Sequence, residues 1–286
     1  MNTDMNTDRN DARNNAGNDR VPDTDAARKG LELLERLNPG AFAAVRAGLD
    51  PIAPDMVRWI VDFGYGDILA RPGLDLRARQ TGTIAALIAL GNAPAQLKFH
   101  LEAGLGAGLT PGELVEIVYV TTVFAGFPAG LNALAVLREI FAARGLIPES
   151  TPDSAPEPAS DSASELPGTP RERGLATLAA TSREAGQGVL DWLKPIAPDM
   201  IRWLLDFSYG EVFCRPGLDP RLTEVAMLAA AAARGTMRPQ LQVHLRAGLN
   251  VGLTRTEIVE LLMQMAVYAG FPAALNALAA AAEVLG

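Results

Sequence analysis

The chain has 286 residues, of which 49% are hydrophobic and 20% charged, with a formal net charge of −8. These proportions suit a soluble globular protein, and the acidic balance excludes a nucleic-acid reader, which needs concentrated Lys and Arg to meet phosphates. A single cysteine, Cys214, excludes an intramolecular disulfide and a Cys-x-x-Cys motif.

The first 25 residues, rich in Asn and Asp, read as a disordered tail. They hold no apolar core behind a basic start, so no signal peptide is expected. Residues 26–147 and 171–286 are two copies of one pattern, offset by 144 positions without a gap. IAPDMVRWIVDFGYGDILARPGLD from Ile52 returns as IAPDMIRWLLDFSYGEVFCRPGLD from Ile196, and VFAGFPAGLNALA from Val123 as VYAGFPAALNALA from Val267. The period is too long for a solenoid unit, so each copy reads as a domain of its own. Residues 148–170 have the Pro, Ser, Ala and acidic composition of a linker.

Within a copy, PDMVRWIVDFGYGDIL places Met56, Val57, Ile60, Val61 and Tyr65 on a helical stripe that opens at Pro54. LDLRARQTGTIAALIAL starts with Asp75 as an N-cap and runs into Ala and Leu. With VAMLAAAAA of the second copy, it reads as a helix apolar on most sides, buried in the domain or in a subunit interface. VAMLAAAAA, from Val225, is the longest apolar run and too short to span a bilayer, so no membrane role and a cytoplasmic location are expected. QLKFHLEAGLGAGLT forms a helix bearing His100. LTPGELVEIVYVTTVFAG carries a capping box of Thr110 and Glu113 with Pro111 in the first turn. After a break at Gly126-Phe127-Pro128, FPAGLNALAVLREIFAARG supplies the last helix. Period-2 alternation is scarce, so the fold class is all-α, with about six helices per copy.

The two histidines, His100 and His244, occupy the same place in the two copies, each with a glutamine one turn earlier, Gln96 and Gln240. Both sit on or beside an apolar stripe, which suits a packed histidine as well as a catalytic one. A second constellation joins an acid, Asp67 or Glu211, to an arginine four residues later, Arg71 or Arg215, before a Pro-Gly turn. This spacing suits a surface ion pair, or an arginine fork offered to a carboxylate. Asn132 and Asn276 fall in the first turns of an apolar helix, where a buried amide caps a neighbour or faces a ligand. No histidine cluster, paired cysteines or repeated close carboxylates point to a zinc or di-iron site, and no serine recurs as a triad would require.

YGDILARPGLDLRAR, the QLKFHLEAGLGAGLT helix and TEIVELLMQMAVYAGFPAALNAL resemble the carboxymuconolactone decarboxylase family over nearly all of both copies. The chain is closer to the decarboxylase branch than to the related alkylhydroperoxidase branch. The peroxidase cysteines would fall on Ala93 and Gln96, or on Met237 and Gln240, and its distant glutamate on Thr81 and Val225.

The resemblance implies an all-helical fold, assembly into trimers or hexamers, and no metal or organic cofactor. It also implies decarboxylation of a carboxylated unsaturated lactone. Such a substrate supplies its own electron sink, so the protein need only orient the carboxylate, stabilise a dienolate and return a proton. On that reading Arg71 and Arg215, with Gln96 and Gln240, hold the substrate, and His100 and His244 deliver the proton. Asp67 and Glu211 then orient the Arg or the His. The same residues would serve a tailoring enzyme acting on a larger, polyketide-type acid or lactone, and the fold alone would serve a non-catalytic scaffold. A homo-oligomer is expected, as a trimer of tandem chains or a dimer.

Overall fold

The computed structural model describes residues 24–146 and 166–286, whose regular elements are all helical. The expected tail lies outside the described residues except for Thr24 and Asp25, as does the expected linker except for 166–170. The chain divides into two compact units between Arg71 and Pro72.

In the first unit, α1 (Asp25–Leu37) is capped by Thr24, whose side chain accepts from the Ala27 N–H at 3.0 Å. α2 (Ala41–Leu49) follows, then α3 (Pro54–Trp59). The periodicity predicts that α3 continues as one α-helix, but from Ile60 to Leu69 the chain is π-helical. A glycine on each of two touching backbones goes with this widening. A Cβ on Gly30 would lie 2.0 Å from the Val61 carbonyl oxygen, and one on Gly66 would lie 2.2 Å from that of Ala26. Such a contact leaves no room for a side chain on either helix, and apolar spacing does not register the extra residue in the turn.

The second unit holds the later helices of copy one and all those described for copy two. They are α4 (Leu76–Leu90), α5 (Pro94–Gly106), α6 (Pro111–Ala125), α7 (Phe127–Ala143), α8 (Pro170–Ala180) and α9 (Arg183–Leu193). α10 (Pro198–Trp203) then leads into a second π-helical segment (Leu204–Phe213), followed by α11 (Pro220–Arg234), α12 (Arg238–Asn250), α13 (Arg255–Tyr268) and α14 (Phe271–Leu285). The glycine contacts recur here, with a Cβ on Gly174 falling 2.0 Å from the Leu205 oxygen and one on Gly210 falling 2.0 Å from that of Pro170. The expected caps form. Asp75 accepts from the Ala78 N–H at 2.9 Å, and Thr110 with Glu113, like Thr254 with Glu257, closes a capping box.

At the centre α4 packs on α11, buried without interruption over residues 78–89 and 222–233. Their alanines let the two backbones approach closely, so the copies share one core. Asn132 and Asn276, read as buried amides, are exposed, because α7 and α14 turn Ala133 and Ala277 inward instead.

The α4–α11 core encloses charge. Arg79, with no exposed surface, donates to Glu260 Oε2 at 2.9 Å and to Gln264 Oε1 at 3.1 Å. The Gln264 amide donates in turn to the Arg79 carbonyl at 2.9 Å and to Thr83 Oγ1 at 2.8 Å. These bonds offset part of the cost of burying the charge. Arg79→Met leaves the Glu260 carboxylate and Gln264 short of a donor and is expected to cost about 3 kcal/mol, measured by urea unfolding. An unchanged midpoint would refute the role given to this cluster.

Candidate functional site

His100 lies on the buried face of α5 with Leu97, Leu101 and Gly104, and His244 lies on that of α12 with Leu241, Leu245 and Gly248. Each helix packs on the central helix of its own copy, which brings in a partner 20 positions earlier in the chain. The partners differ. His100 Nδ1 meets Gln80 Oε1 at 3.0 Å, whereas His244 Nδ1 meets Glu224 Oε2 at 2.9 Å.

The roof over each ring comes from the other copy. Tyr268, at the end of α13, stands edge-on to His100 with ring centroids 5.1 Å apart. Phe124, near the end of α6, stands likewise over His244 at 5.2 Å. Neither centre is complete within one copy.

His244 opens onto a cavity of about 750 Å³. Its walls are mostly apolar: Val123 and Phe124 from α6, Val189 and Trp192 from α9, Phe213 from the second π-helical segment, and Met237 and Val243 beside the histidine. Polar groups are few. They include His244, Gln240 one turn before it, the Trp192 indole and Tyr209, whose hydroxyl shares a 2.8 Å hydrogen bond with Ser182 Oγ. Burial holds the Tyr209 phenol above its ordinary pKa and nearby Glu224 adds to this, while the Ser182 bond opposes it. Glu224 occupies Nδ1, and among the described residues nothing hydrogen-bonds Nε2, so that nitrogen is left for a molecule in the cavity.

The expected arginine fork is placed differently. Arg215 is clamped by Glu116 on α6, with Nε at 2.9 and 2.8 Å from the two carboxylate oxygens and Nη2 at 2.6 Å. Its guanidinium also stacks on Tyr119 at 5.1 Å, and Arg215 is not among the cavity's lining residues. Glu211, expected to pair with Arg215, bonds Arg173 at 2.7 Å. The reason is the π-helix, which shifts the register of Glu211 before the chain turns away at Arg215. In copy one Gln96 is exposed, and Asp67 and Arg71 are exposed residues of the first unit.

Sequence reasoning passed over Gln80 and Glu224. The peroxidase-branch comparison looked at Thr81 and Val225, one residue further on. The signal was present, since an acid in one copy answers an amide in the other at the same distance before each histidine. Among the described residues no cluster of three or more His, Cys, Asp or Glu is arranged to hold a metal ion, and no helix is long and apolar enough to cross a membrane.

Burial pushes His100 down to about 3 from its ordinary 6.5. Above pH 6.5 the ring is neutral folded or unfolded and adds no pH dependence. Between pH 6.5 and about 3 the unfolded chain takes a proton that the folded chain refuses, so stability falls as pH falls, by at most about 1.4 kcal/mol per pH unit. Between pH 7.5 and 5 the parent protein should therefore lose about 2 kcal/mol more than His100→Gln in urea titrations. Equal losses would contradict the placement of a neutral His100.

The model of the carboxymuconolactone decarboxylase family matches residues 54–139 and again 198–283. A 4-carboxymuconolactone decarboxylase of Acinetobacter baylyi is 36% identical over 128 residues, 44% of this chain and 95% of that protein. An uncharacterized 15.0 kDa protein from the nqo9–nqo10 intergenic region of Paracoccus denitrificans is 31% identical over 116 residues, 40% of this chain and 87% of the relative. A crystal structure from Burkholderia xenovorans LB400, described as a gamma-carboxymuconolactone decarboxylase subunit, superposes with a TM-score of 0.52 at 26% identity, covering 93% of this chain and all of the other. Each sequence relative has about the length of one copy, and the family match falls once in each copy. The chain belongs to the carboxymuconolactone decarboxylase family, with the family's unit present twice.

Proposed function

We propose that the protein is a cofactor-independent lyase that decarboxylates an acid or lactone whose carbanion is conjugated to a carbonyl, with His244 as the proton-transfer group. One observation carries this reading: an imidazole held by a carboxylate on the wall of a large, mostly apolar cavity. As the carbon–carboxylate bond breaks, carbon dioxide leaves and the electron pair moves into the substrate's own conjugated carbonyl. The imidazolium form of His244, its Nδ1–H held by Glu224, then gives its Nε2 proton to the dienolate carbon and takes one back from water. The Gln240 amide and the Tyr209 hydroxyl are the cavity's donors for the developing enolate oxygen. Apolar walls strengthen these interactions by excluding water.

The size of the cavity favours the larger acid or lactone over a small monocyclic one. Spaces of about 300–1,000 Å³ accommodate drug-sized molecules, and at about 750 Å³ this one lies well inside that range. Arg215 enters this reading as a tie between copies, since its charge is already met by Glu116. A role as scaffold alone gains less support, because it gives no reason for a histidine to border so large a hollow. The test offers 4-carboxymuconolactone and polycyclic unsaturated lactone acids in parallel and measures carbon dioxide release. His244→Gln should lower kcat by about 10²–10⁴-fold with the melting temperature preserved. Full activity in that variant would end the reading.

A homo-oligomer is part of the same proposal. Phe127 and Leu131 on α7 are both 64% exposed, and their counterparts Phe271 and Leu275 on α14 are 59% and 62% exposed. Apolar side chains repeated at matched places suit a face closed by a second copy of the chain. Leu131→Asp with Leu275→Asp should reduce the mass measured by light scattering to that of one chain. An unchanged mass, or a single-chain mass for the parent protein, would rule this face out.

A further inference from the structure

The repeat makes the differences between the two histidine centres informative, because each histidine sits on an equivalent helix packed on the central helix of its copy, α5 on α4 and α12 on α11. We infer that the centres have divided: proton transfer belongs to His244 with Glu224 as its positioning residue, and the His100 centre is retained as a neutral, hydrogen-bonded counterpart that does not turn over. This rests on the proton-transfer reading of His244 given above.

Three observations support the division. The first is the partner at Nδ1. A carboxylate accepts the Nδ1–H, fixes the tautomer that presents Nε2, and offsets the charge of an imidazolium formed during turnover. An amide oxygen accepts the same bond and brings no charge. Glu224 and Gln80 occupy equivalent positions at nearly equal distances, 2.9 and 3.0 Å, so the change is one of charge and not of geometry.

The second is how the polar groups around each ring are used. Gln80 is fully buried, and among the described residues its Nε2 has no hydrogen-bond partner, nor has Oγ1 of the adjacent Thr81. Glu224 has no such orphan. A buried amide without a partner costs stability, a cost that the Glu224 centre does not carry.

The third is the roof. Over His100 stands Tyr268, whose buried hydroxyl bonds Thr83, and over His244 stands Phe124, which has no polar atom. The first ring thus meets an amide oxygen at Nδ1 and the edges of Phe99 and Tyr268, and burial leaves it unprotonated across the physiological range. Its one N–H is taken by Gln80, and it holds no second proton to deliver. The second ring has a carboxylate behind it and an apolar hollow in front.

The experiment follows proton transfer without requiring the natural substrate. α-Angelica lactone, a small unsaturated lactone, forms a dienolate when its ring C–H is removed, and in D₂O its return as C–D is read by proton NMR. Full-length parent, His244→Gln, His100→Gln and Glu224→Gln are compared at saturating and sub-saturating lactone, with melting temperatures recorded. His244→Gln and Glu224→Gln should exchange at least about 100-fold more slowly. Glu224→Gln should do so through kcat with KM unchanged, and Glu224→Asp should recover part of the rate. His100→Gln should stay within about twofold of the parent. If His244→Gln does not fold, Glu224→Gln, which preserves shape, carries the comparison. Loss in His100→Gln as deep as in His244→Gln, or loss in His100→Gln alone, overturns the division and leaves histidine proton transfer standing. Parent-like exchange in both histidine variants, or no exchange by the parent, removes the proton-transfer reading and this inference with it.

Discussion

Two alanine-rich helices, one from each copy, lie against each other at the centre of the larger unit, and the rest of that unit depends on their contact. Alanine is what permits it, because short side chains let two backbones approach while every residue between Ala78 and Ala89, and between Leu222 and Ala233, leaves water. The helices that flank this pair then reach across the repeat. Glu116 of the first copy grips Arg215 of the second, and Glu260 of the second grips Arg79 of the first. Phe124 and Tyr268 roof the opposite copy's histidine. A copy separated from its partner would lose its core, leave buried charges unpaired and open its histidine to water. Joining the copies in one chain keeps them at high effective concentration.

Within that frame the proposed chemistry turns on a single change. An imidazole backed by a carboxylate can pass through its charged form, and an imidazole backed by an amide in a dry setting has no counter-charge to do so. Duplication allows such a change to persist, since one copy can keep the chemistry while the other supplies the roof and half the core. The relatives that match are each about as long as one copy.

The cavity beside His244 also shows how a helical bundle makes space. The second π-helical segment widens the chain, and the glycine contacts at Gly174 and Gly210 anchor it tightly on α8 at its back. With that side fixed, Leu204, Tyr209 and Phe213 of the segment line the hollow. Helical elements therefore set much of the shape of the cavity.

Much was legible in the chain itself. Helix starts at Asp75, Thr110 and Thr254 follow from local side-chain-to-backbone bonds that need only a few neighbouring residues, so short-range patterns sufficed. The duplication was legible because identity at a constant offset requires no geometry. Placing His100 and His244 on buried helix faces followed from periodicity alone. The tertiary structure decided what meets what. Arg215 finds Glu116 some 99 positions away, Arg79 finds Gln264 some 185 away, and each ring lies beneath an aromatic of the other copy. The partners of a buried charge are chosen by which helices pack together, a property of the whole chain that spacing along the sequence does not encode. Glu224 shows the boundary: its difference from Gln80 was visible in the letters, and its meaning appeared only when the packing of α11 on α12 set it 2.9 Å from an imidazole.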